Sequence, residues 1–280
     1  MNEVQTNIKT IKPKTNHSSG RYLQTLVIPP DAGKIYCECC LKTMAKMPDK
    51  YIDLTVTSPP YNMRTRIRNG EYTTREKSEH FSKKYKYFND DMPIDVFYNF
   101  HKKVIKELLR VSKIVCYNFQ TVTGSKEAFF KIIGDYHKDI KDIVIWDKGH
   151  GQPAMHNKVL NSCYEFILIL EDDGKAGRVI QNAIDFRGEL DNIWRITKKR
   201  NDNNKHGAIM PEKVAGTAIK YFSCKGGLVY DPFIGSGTTA LASIKLGRRW
   251  IGTEIIEEYV KMANKRLEKY LNQYSFFRVV

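Results

Sequence analysis

Two kinds of apolar segment alternate along most of this chain, and that alternation is the strongest constraint on its fold. Short runs rich in β-branched and aromatic residues, such as Ile52–Val56 and Lys113–Phe119, predict buried strands. Apolar residues at helical spacing predict amphipathic helices over Pro93–Arg110 and Lys126–Tyr136. The sequence therefore predicts an α/β fold in which a mostly parallel, twisted sheet carries helices on both faces.

The last quarter of the chain shows the same alternation. Gly227–Asp231 and Arg249–Glu254 are predicted strands, separated by a glycine turn and helix over Gly235–Gly247 and followed by a helix over Glu257–Leu271. Pro211–Ser223 is predicted as a further helix, with proline in its first turn. With 280 residues, 41% of them hydrophobic, the chain can bury a substantial core in one large domain or two small ones.

Three segments depart from this alternation. Residues 1–25 are polar and basic without periodicity, which predicts a mobile arm. Residues 62–91 interleave basic with aromatic residues, a composition suited to contacting phosphates and stacking on bases, although a plain solvated loop has the same appearance. Residues 171–206 have turns and a basic cluster but few apolar runs, and are interpreted as an insertion rather than framework.

Net charge points to the kind of partner. The chain carries 46 basic and 31 acidic residues, a formal charge of +15, which favours a polyanion and above all nucleic acid. No apolar stretch is long enough to span a bilayer and no secretory signal is present, so we expect no membrane partner and a cytoplasmic location. Cys37 and Cys40 form a CxxC pair without a second ligand pair, so no metal is predicted.

A Pro-Pro pair follows the predicted strand Ile52–Val56. In Thr57–Tyr61 the two prolines fix the backbone and remove two donors, leaving carbonyl acceptors beside the hydroxyl of Ser58 and the ring of Tyr61. These groups suit a planar ligand that bears an amino group. Taken alone, the segment could equally be a rigid strand-to-loop connection.

A second motif, Asp231–Ala240, runs from a strand end into a helix. It satisfies G-x-G-x-x-A, with Glu254 placed to take ribose hydroxyls, so a nicotinamide-dependent dehydrogenase is one interpretation. However, the acidic residue that ends the strand would repel a pyrophosphate, and a ligand with a cationic end fits better. A non-catalytic nucleic-acid-binding protein would explain the charge but not this motif.

Together the two motifs resemble those of S-adenosylmethionine-dependent DNA amino-methyltransferases. Asp231–Thr239 with Gly247–Glu254 is similar to the cofactor motifs of that family, and Thr57–Tyr61 is similar to its catalytic (D/N/S)-P-P-(Y/F/W) motif. The catalytic motif comes first, as in the β class. The resemblance covers roughly residues 34–270 and implies a Rossmann-like methyltransferase fold with circularly permuted motif order. It implies a methyltransferase domain over 26–280, with 62–91 as a catalytic and DNA-contacting loop and 171–206 as a target-recognition region.

The resemblance also implies which residues bind the cofactor, S-adenosyl-L-methionine. Glu254 would bind the ribose, and His206 to Pro211 is similar to a segment that closes over the methionine moiety. Tyr36–Cys39 resembles the family's Gly-Asp-Cys, whose acid contacts the adenine, but here Cys replaces Gly and Glu38 replaces Asp. The implied cofactor-binding residues are Asp231, Phe233, Gly235, Ser236, Gly237, Thr238, Glu254, Glu38, His206 and Pro211.

The implied reaction is methyl transfer to an exocyclic amino group of a base flipped out of double-stranded DNA. The implied catalytic residues are Ser58, Pro59, Pro60 and Tyr61. Tyr61 would stack on the base, while the Ser58 hydroxyl and the Pro59 carbonyl would accept hydrogen bonds from its amino group.

The resemblance leaves the target base open. Family habit associates Ser-Pro-Pro-Tyr with cytosine N4, which we favour, and adenine N6 is the alternative. Cytosine C5 is disfavoured because no cysteine follows a proline. RNA and protein amide methyltransferases usually carry the cofactor motif first, whereas in this chain the catalytic motif comes first, so these classes are disfavoured. The resemblance also implies two candidate partners, namely a second copy of the chain in a homodimer and a cognate restriction enzyme.

Overall fold

The computed structural model describes residues 30–62, 67–68, 71–72, 92–152, 158–175, 177–197 and 210–275. The strands are β1 (Lys34–Cys37), β2 (Ile52–Thr57), β3 (Ile67–Arg68), β4 (Glu71–Tyr72), β5 (Ser112–Phe119), β6 (Ile140–Gln152), β7 (Ser162–Leu170), β8 (Ile193–Arg195), β9 (Leu228–Asp231) and β10 (Arg249–Glu254). The helices are α1 (Cys40–Met44), α2 (Ile94–Val111), α3 (Lys126–Asp135), α4 (Glu212–Phe222), α5 (Thr238–Lys245) and α6 (Glu257–Ser275).

Eight of these strands form one sheet in the order β1-β10-β9-β2-β5-β7-β6-β8. The first five strands of that order are mutually parallel. β7 pairs antiparallel with both β5 and β6, and β8 pairs parallel with β6, so of the described strands in the sheet β7 alone is reversed. The predicted mostly parallel α/β sheet is confirmed.

Both faces of the sheet are buried, as parallel sheets require. Along β5 the side chains alternate: Val115 and Tyr117 pack with helices α1, α2 and α3, while Ile114 and Cys116 pack with α4 and α5. A smaller cluster joins α5 and α6 around Trp250. The near-continuous apolar strands of the sequence follow from this burial on two sides.

The connections reverse direction between β9 and β2. The chain leaves β9 through α5 for β10 on one side, and leaves β2 through α2 for β5 on the other. β9 and β2 are neighbours although more than 170 residues separate their paired residues Leu54 and Val229. In open α/β sheets ligands bind outside the carboxyl ends of the strands at such a switch point. The two motifs are far apart in the chain, but this strand order places both at the carboxyl ends of the neighbouring strands β9 and β2.

Two parts of the fold differ from the sequence-based expectation. The apolar run Asp142–Trp146 predicts a strand there, but β6 continues to Gln152, because its polar end pairs with the start of β7 and needs no apolar pattern. The segment 171–206, interpreted as an insertion rather than framework, contributes β8 to the sheet edge and buries Trp194 and Ile196 in the core. A three-residue strand is too short for periodicity to reveal.

Some predicted features lie outside the described residues, namely the arm at 1–25, most of the loop at 62–91, and 198–206 with His206. Of 62–91 the structure describes Asn62 and the antiparallel pair β3 and β4. No helix in the described ranges has the length and apolarity needed to cross a membrane. All six cysteines are free, and the described part of the chain holds no group of three or more His, Cys, Asp or Glu able to bind a metal.

Candidate active site

The predicted site residues lie along one edge of the sheet, where the parallel strands end. Glu38 follows β1, Glu254 ends β10, Asp231 ends β9 and Ser58 follows β2. Because neighbouring strands lie about 4.8 Å apart, four sequence-distant residues become close neighbours in that order.

Asp231 joins the two motifs directly. Its carboxylate accepts hydrogen bonds from Thr57 Oγ1 at 2.7 Å on the catalytic strand and from Thr239 Oγ1 at 2.6 Å in α5. It also accepts from the backbone N–H of Phe233 at 3.0 Å. The residue is 4% exposed, and this burial raises the pKa of Asp231 to about 6. The carboxylate is therefore bonded from within the protein and fixes the position of β2 relative to the turn between β9 and α5.

The glycine turn between β9 and α5 presents an open outer face. Gly235 has φ +50°, and a Cβ added there would meet no atom closer than the Phe233 carbonyl at 3.8 Å. Gly237 has φ +79°, and an added Cβ would approach Ala263 of α6 at 3.2 Å. Glycine therefore permits the left-handed turn at both positions, and at Gly237 it also allows α6 to support the turn from behind.

Arg266 of α6 holds the same turn, which the sequence did not suggest. Its Nη1 donates to the Ser236 carbonyl and to Thr238 Oγ1, each at 3.1 Å. Burial lowers the pKa of Arg266. Two of the predicted cofactor-binding residues thus have a structural partner on the inner side of the turn.

Glu254 lies beside the turn on the neighbouring strand. Its Oε2 accepts from the backbone N–H of Gly235 at 3.1 Å and its Oε1 from that of Ile256 at 2.9 Å. Burial raises the pKa of Glu254 despite these hydrogen bonds. The carboxylate is half-buried and keeps lone pairs for further donors, such as a pair of hydroxyls.

The remaining predicted cofactor residues lie around this centre. Phe233 is half-buried, with its ring edge against Phe100 of α2, and Pro211 is the half-buried residue just before α4. Glu38 accepts hydrogen bonds from Thr43 and Lys46 through one carboxylate oxygen. Burial acts to raise the pKa of Glu38, but the hydrogen bonds from Lys46 and Thr43 outweigh it and the net direction is downward.

The Ser-Pro-Pro-Tyr loop is anchored by a buried polar network. The hydroxyls of Ser58 and Tyr61 lie 2.6 Å apart, and Tyr61 donates to Glu165 Oε2 at 2.9 Å. Asn118 Nδ2, at the end of β5, donates to the Tyr61 hydroxyl at 2.7 Å and to Glu165 Oε2 at 2.8 Å. Ser58 and Pro60 are half-exposed, while Pro59 and Tyr61 are buried. The loop therefore presents Ser58 outward and fixes Tyr61 inward.

Sequence analysis did not single out Asn118 or Glu165. Each is flanked by aromatic residues, Asn118 by Tyr117 and Phe119 in β5 and Glu165 by Tyr164 and Phe166 in β7, and both are buried. Burying an amide or a carboxylate is costly unless it is bonded, so such a side chain between aromatic residues of a strand is the signal that could have indicated them.

Asn62 was also missed, although it directly follows the motif. It is fully buried with φ +54°, a left-handed conformation that asparagine tolerates. Its amide Nδ2 donates to the Met92 and Gly124 carbonyls, and its Oδ1 accepts from the Met92 N–H at 2.7 Å. Asn62 thus joins the two ends of the segment 62–91 at the edge of the site.

Comparison with known proteins identifies the family of this chain. A family model described as DNA methylase, for N6/N4 methyltransferases, matches residues 52–265, three quarters of the chain. The chain belongs to the N6/N4 DNA methylase family. This membership decides against a dehydrogenase as the interpretation of the glycine motif and against a non-catalytic nucleic-acid-binding protein as the explanation of the charge.

Two proteins that are similar in sequence to this chain are described as methyltransferases. The orphan methyltransferase M.BamHII of Bacillus amyloliquefaciens is 42% identical over 106 residues, which cover 36% of this chain and 40% of that protein. The type II methyltransferase M2.DpnII of Streptococcus pneumoniae is 27% identical over 248 residues, 81% of this chain and 86% of that one. Part of the first relative is thus unmatched, whereas the second is matched over most of its length.

Solved structures share the fold. PvuII DNA methyltransferase, described as cytosine-N4-specific, superposes with a TM-score of 0.62 at 16% identity, covering 84% of this chain and 89% of that one. M1.HpyAVI in complex with S-adenosylmethionine gives a TM-score of 0.53 at 18% identity, covering 83% and 98%. At these identities the comparison establishes the Rossmann-like methyltransferase fold.

The family's cofactor is S-adenosylmethionine, and the residues present fit it. The open face at Gly235 leaves room for a ligand against the turn, and the two acids at adjacent strand ends suit a ligand with cationic groups better than a pyrophosphate. Glu254 keeps acceptor capacity for the ribose hydroxyls. The methyltransferase prediction and its cofactor are therefore confirmed, while the role of each residue stays a prediction.

We expect Glu254→Gln to weaken binding of S-adenosylmethionine about tenfold or more, because it removes a charged acceptor worth about 1.5–3 kcal/mol in such hydrogen bonds. Calorimetric titration without DNA measures this directly. Glu257→Gln, an exposed residue of α6 paired with Lys261, is the matched control and should bind the cofactor normally. Equal affinity in the two variants would contradict the assignment of Glu254.

Proposed function

We propose that the enzyme methylates N4 of cytosine in double-stranded DNA, on a base flipped out of the helix. The observation that supports amino methylation is the state of Ser58, whereas the choice of cytosine over adenine rests on the Ser-Pro-Pro-Tyr sequence, which family habit associates with cytosine N4. The single hydroxyl proton of Tyr61 is donated to Glu165, so Ser58 must donate its own proton to Tyr61. The Ser58 oxygen is thereby left as an acceptor at the half-exposed end of the network.

An acceptor there matches the chemistry of the target. The amino lone pair of cytosine is conjugated with the ring and is a poor nucleophile. Hydrogen bonds from the amino group to Ser58 Oγ and the Pro59 carbonyl favour a pyramidal nitrogen whose lone pair is free. S-adenosylmethionine supplies an electrophilic methyl group when bound. The chain's own contribution is orientation, because Asp231 holds the catalytic strand and the cofactor turn together.

Two segments are proposed to contact DNA. The segment 62–91 is joined at its base by Asn62 and carries many basic residues in sequence, which suits phosphate contacts. The segment 171–206 is proposed to read the target sequence. Glu171, directly after β7, accepts hydrogen bonds from the backbone N–H groups of Gln181 and Asn182, so the segment folds back on its first residue at the end of that strand. A homodimer, a cognate restriction enzyme and a cytoplasmic location remain part of this proposal.

Product analysis tests the target base. The protein is incubated with S-adenosylmethionine and DNA from a methylation-deficient bacterial strain, and the DNA is then digested to nucleosides for mass spectrometry. We expect N4-methylcytosine. Finding N6-methyladenine would overturn the cytosine assignment and keep the enzyme class, whereas 5-methylcytosine or unmodified DNA would contradict amino methylation itself.

A further inference from the structure

The polar network beneath the catalytic loop forms one continuous chain of hydrogen bonds. It begins at Ser58, passes to the Tyr61 hydroxyl at 2.6 Å and ends at Glu165 Oε2 after a further 2.9 Å. Lys148 Nζ lies 3.4 Å from the other carboxylate oxygen of Glu165. The chain therefore runs from a half-exposed hydroxyl to a carboxylate that is 8% exposed.

Every proton along this chain points inward. Ser58 donates to Tyr61 and Tyr61 donates to Glu165, as donor counting requires. Asn118 Nδ2 lies 3.2 Å from Ser58 Oγ and fixes the geometry through contacts with all three members. A proton arriving at Ser58 can thus be passed to Glu165 by shifts along bonds that already exist.

Fold stability does not account for Glu165 and Lys148. Burying an ion pair costs desolvation energy that its attraction often fails to recover, and well-packed apolar residues would serve as well or better. Both side chains are at most 10% exposed, and they lie on the neighbouring strands β7 and β6. The pair lies directly behind the loop that the family uses for catalysis.

We propose that Glu165 is the terminal acceptor of the proton that the amino nitrogen loses on methylation, and that Tyr61 and Ser58 relay this proton. The inference rests on the proposed function. The nitrogen lone pair forms the bond to the methyl carbon, and the electron pair of the broken carbon–sulfur bond stays on sulfur. The cationic nitrogen gives a proton to Ser58 Oγ, Ser58 gives its own to the Tyr61 oxygen, and Tyr61 gives its own to Glu165, which becomes a neutral carboxylic acid.

The transfer through Tyr61 is concerted. Burial, together with the adjacent Glu165 carboxylate, raises the pKa of Tyr61 well above its ordinary value, so a free phenolate does not accumulate. Tyr61 therefore receives one proton as it releases another. Among the described residues the charged or titratable groups that contact Glu165 are Tyr61 and Lys148, while Asn118 is polar without titrating.

Glu165→Gln and Tyr61→Phe test the relay by single-turnover methylation of DNA that carries the mapped target. Each should slow the methylation step about tenfold to hundredfold, while affinities for DNA and S-adenosylmethionine stay within twofold. The double variant should be no slower than the slower single variant.

Matched controls are Glu127→Gln, an exposed residue of α3 paired with Lys131, and Tyr98→Phe, a half-buried residue of α2 that donates to Asp135; both should keep the wild-type rate. Should Glu165→Gln fold poorly because Lys148 loses its partner, Glu165→Gln combined with Lys148→Met replaces it. Wild-type rates in the two test variants, or losses that multiply in the double variant, would overturn the relay. Absence of methylation by the wild type would instead contradict the proposed function.

A second readout needs no activity. In a carbon NMR spectrum of the cofactor-free protein with tyrosine labelled at ring carbon Cζ, one resonance should belong to Tyr61. That resonance should be absent from the Tyr61→Phe variant and shifted in the Glu165→Gln variant. If the Tyr61 resonance does not shift when Glu165 is substituted, the chain of hydrogen bonds is absent in solution, and the proposal is overturned.

Discussion

Replacing Ser58 with alanine should reduce the single-turnover rate of DNA methylation about hundredfold to thousandfold, while the affinity for S-adenosylmethionine stays within twofold of wild type. The variant loses the acceptor that the amino group needs, and removal of one preorganised hydrogen-bonding group at a reacting centre typically costs 10²–10³ in rate. The cofactor turn is unaffected because its bonds run through Thr57 and Asp231 rather than Ser58.

Rapid-quench measurement of labelled methyl incorporation gives the rate, and calorimetry gives the cofactor affinity. Thr217→Ala is the matched control, since it removes an exposed hydroxyl of α4 that bonds only within its helix among the described contacts. A variant that has lost cofactor binding would mean that the two motifs have been assigned to the wrong roles.

Replacing Asp231 with asparagine should stabilise the protein above pH 6 and weaken its cofactor binding about tenfold. Burial raises the pKa of Asp231 from 3.8 to about 6. In the unfolded chain the carboxyl therefore ionises at lower pH than in the folded protein. The stability contributed by the protonated carboxyl is complete below about pH 3.8 and is lost as pH rises through about 6. That loss amounts to about 3 kcal/mol.

Asparagine has the same shape but carries no charge, so the Asp231→Asn variant does not lose this stability as the pH rises. The difference in unfolding free energy between Asp231→Asn and wild type should be near zero at pH 4 and rise to about 3 kcal/mol by pH 7, as measured by chemical denaturation. Cofactor binding should weaken because a negative charge beside a cationic ligand is removed. Asp95→Asn, exposed on α2, should show neither effect. A flat pH dependence of the difference would refute the ionised, buried carboxylate.

Such a result would mean that the protein sacrifices stability at its switch point for function. Asp231 is retained with a buried charge because it performs two tasks that a neutral residue performs less well. It ties Thr57 to Thr239, and it supplies negative potential at the end of β9. Glu165 and Lys148 present the same situation beneath the catalytic loop.

The sequence by itself determined the fold class and the family. The strand and helix patterns are long and regular, and two motifs at strand ends have physical requirements that few other sequences satisfy: fixed backbone with free acceptors in Thr57–Tyr61, and positive φ in the turn at Gly235 and Gly237. These requirements are local, so they are written in consecutive residues.

Only the tertiary structure decided which distant side chains complete the site. Asn118 and Glu165 lie 57 and 104 residues from Tyr61 and meet it because β5, β7 and the end of β2 share one edge. Asn62 and Arg266 act likewise, through contacts with backbone groups of other segments. Hydrogen bonding over a few ångströms depends on strand order and register, which no single stretch of sequence contains, and therefore these residues became visible only in the folded chain.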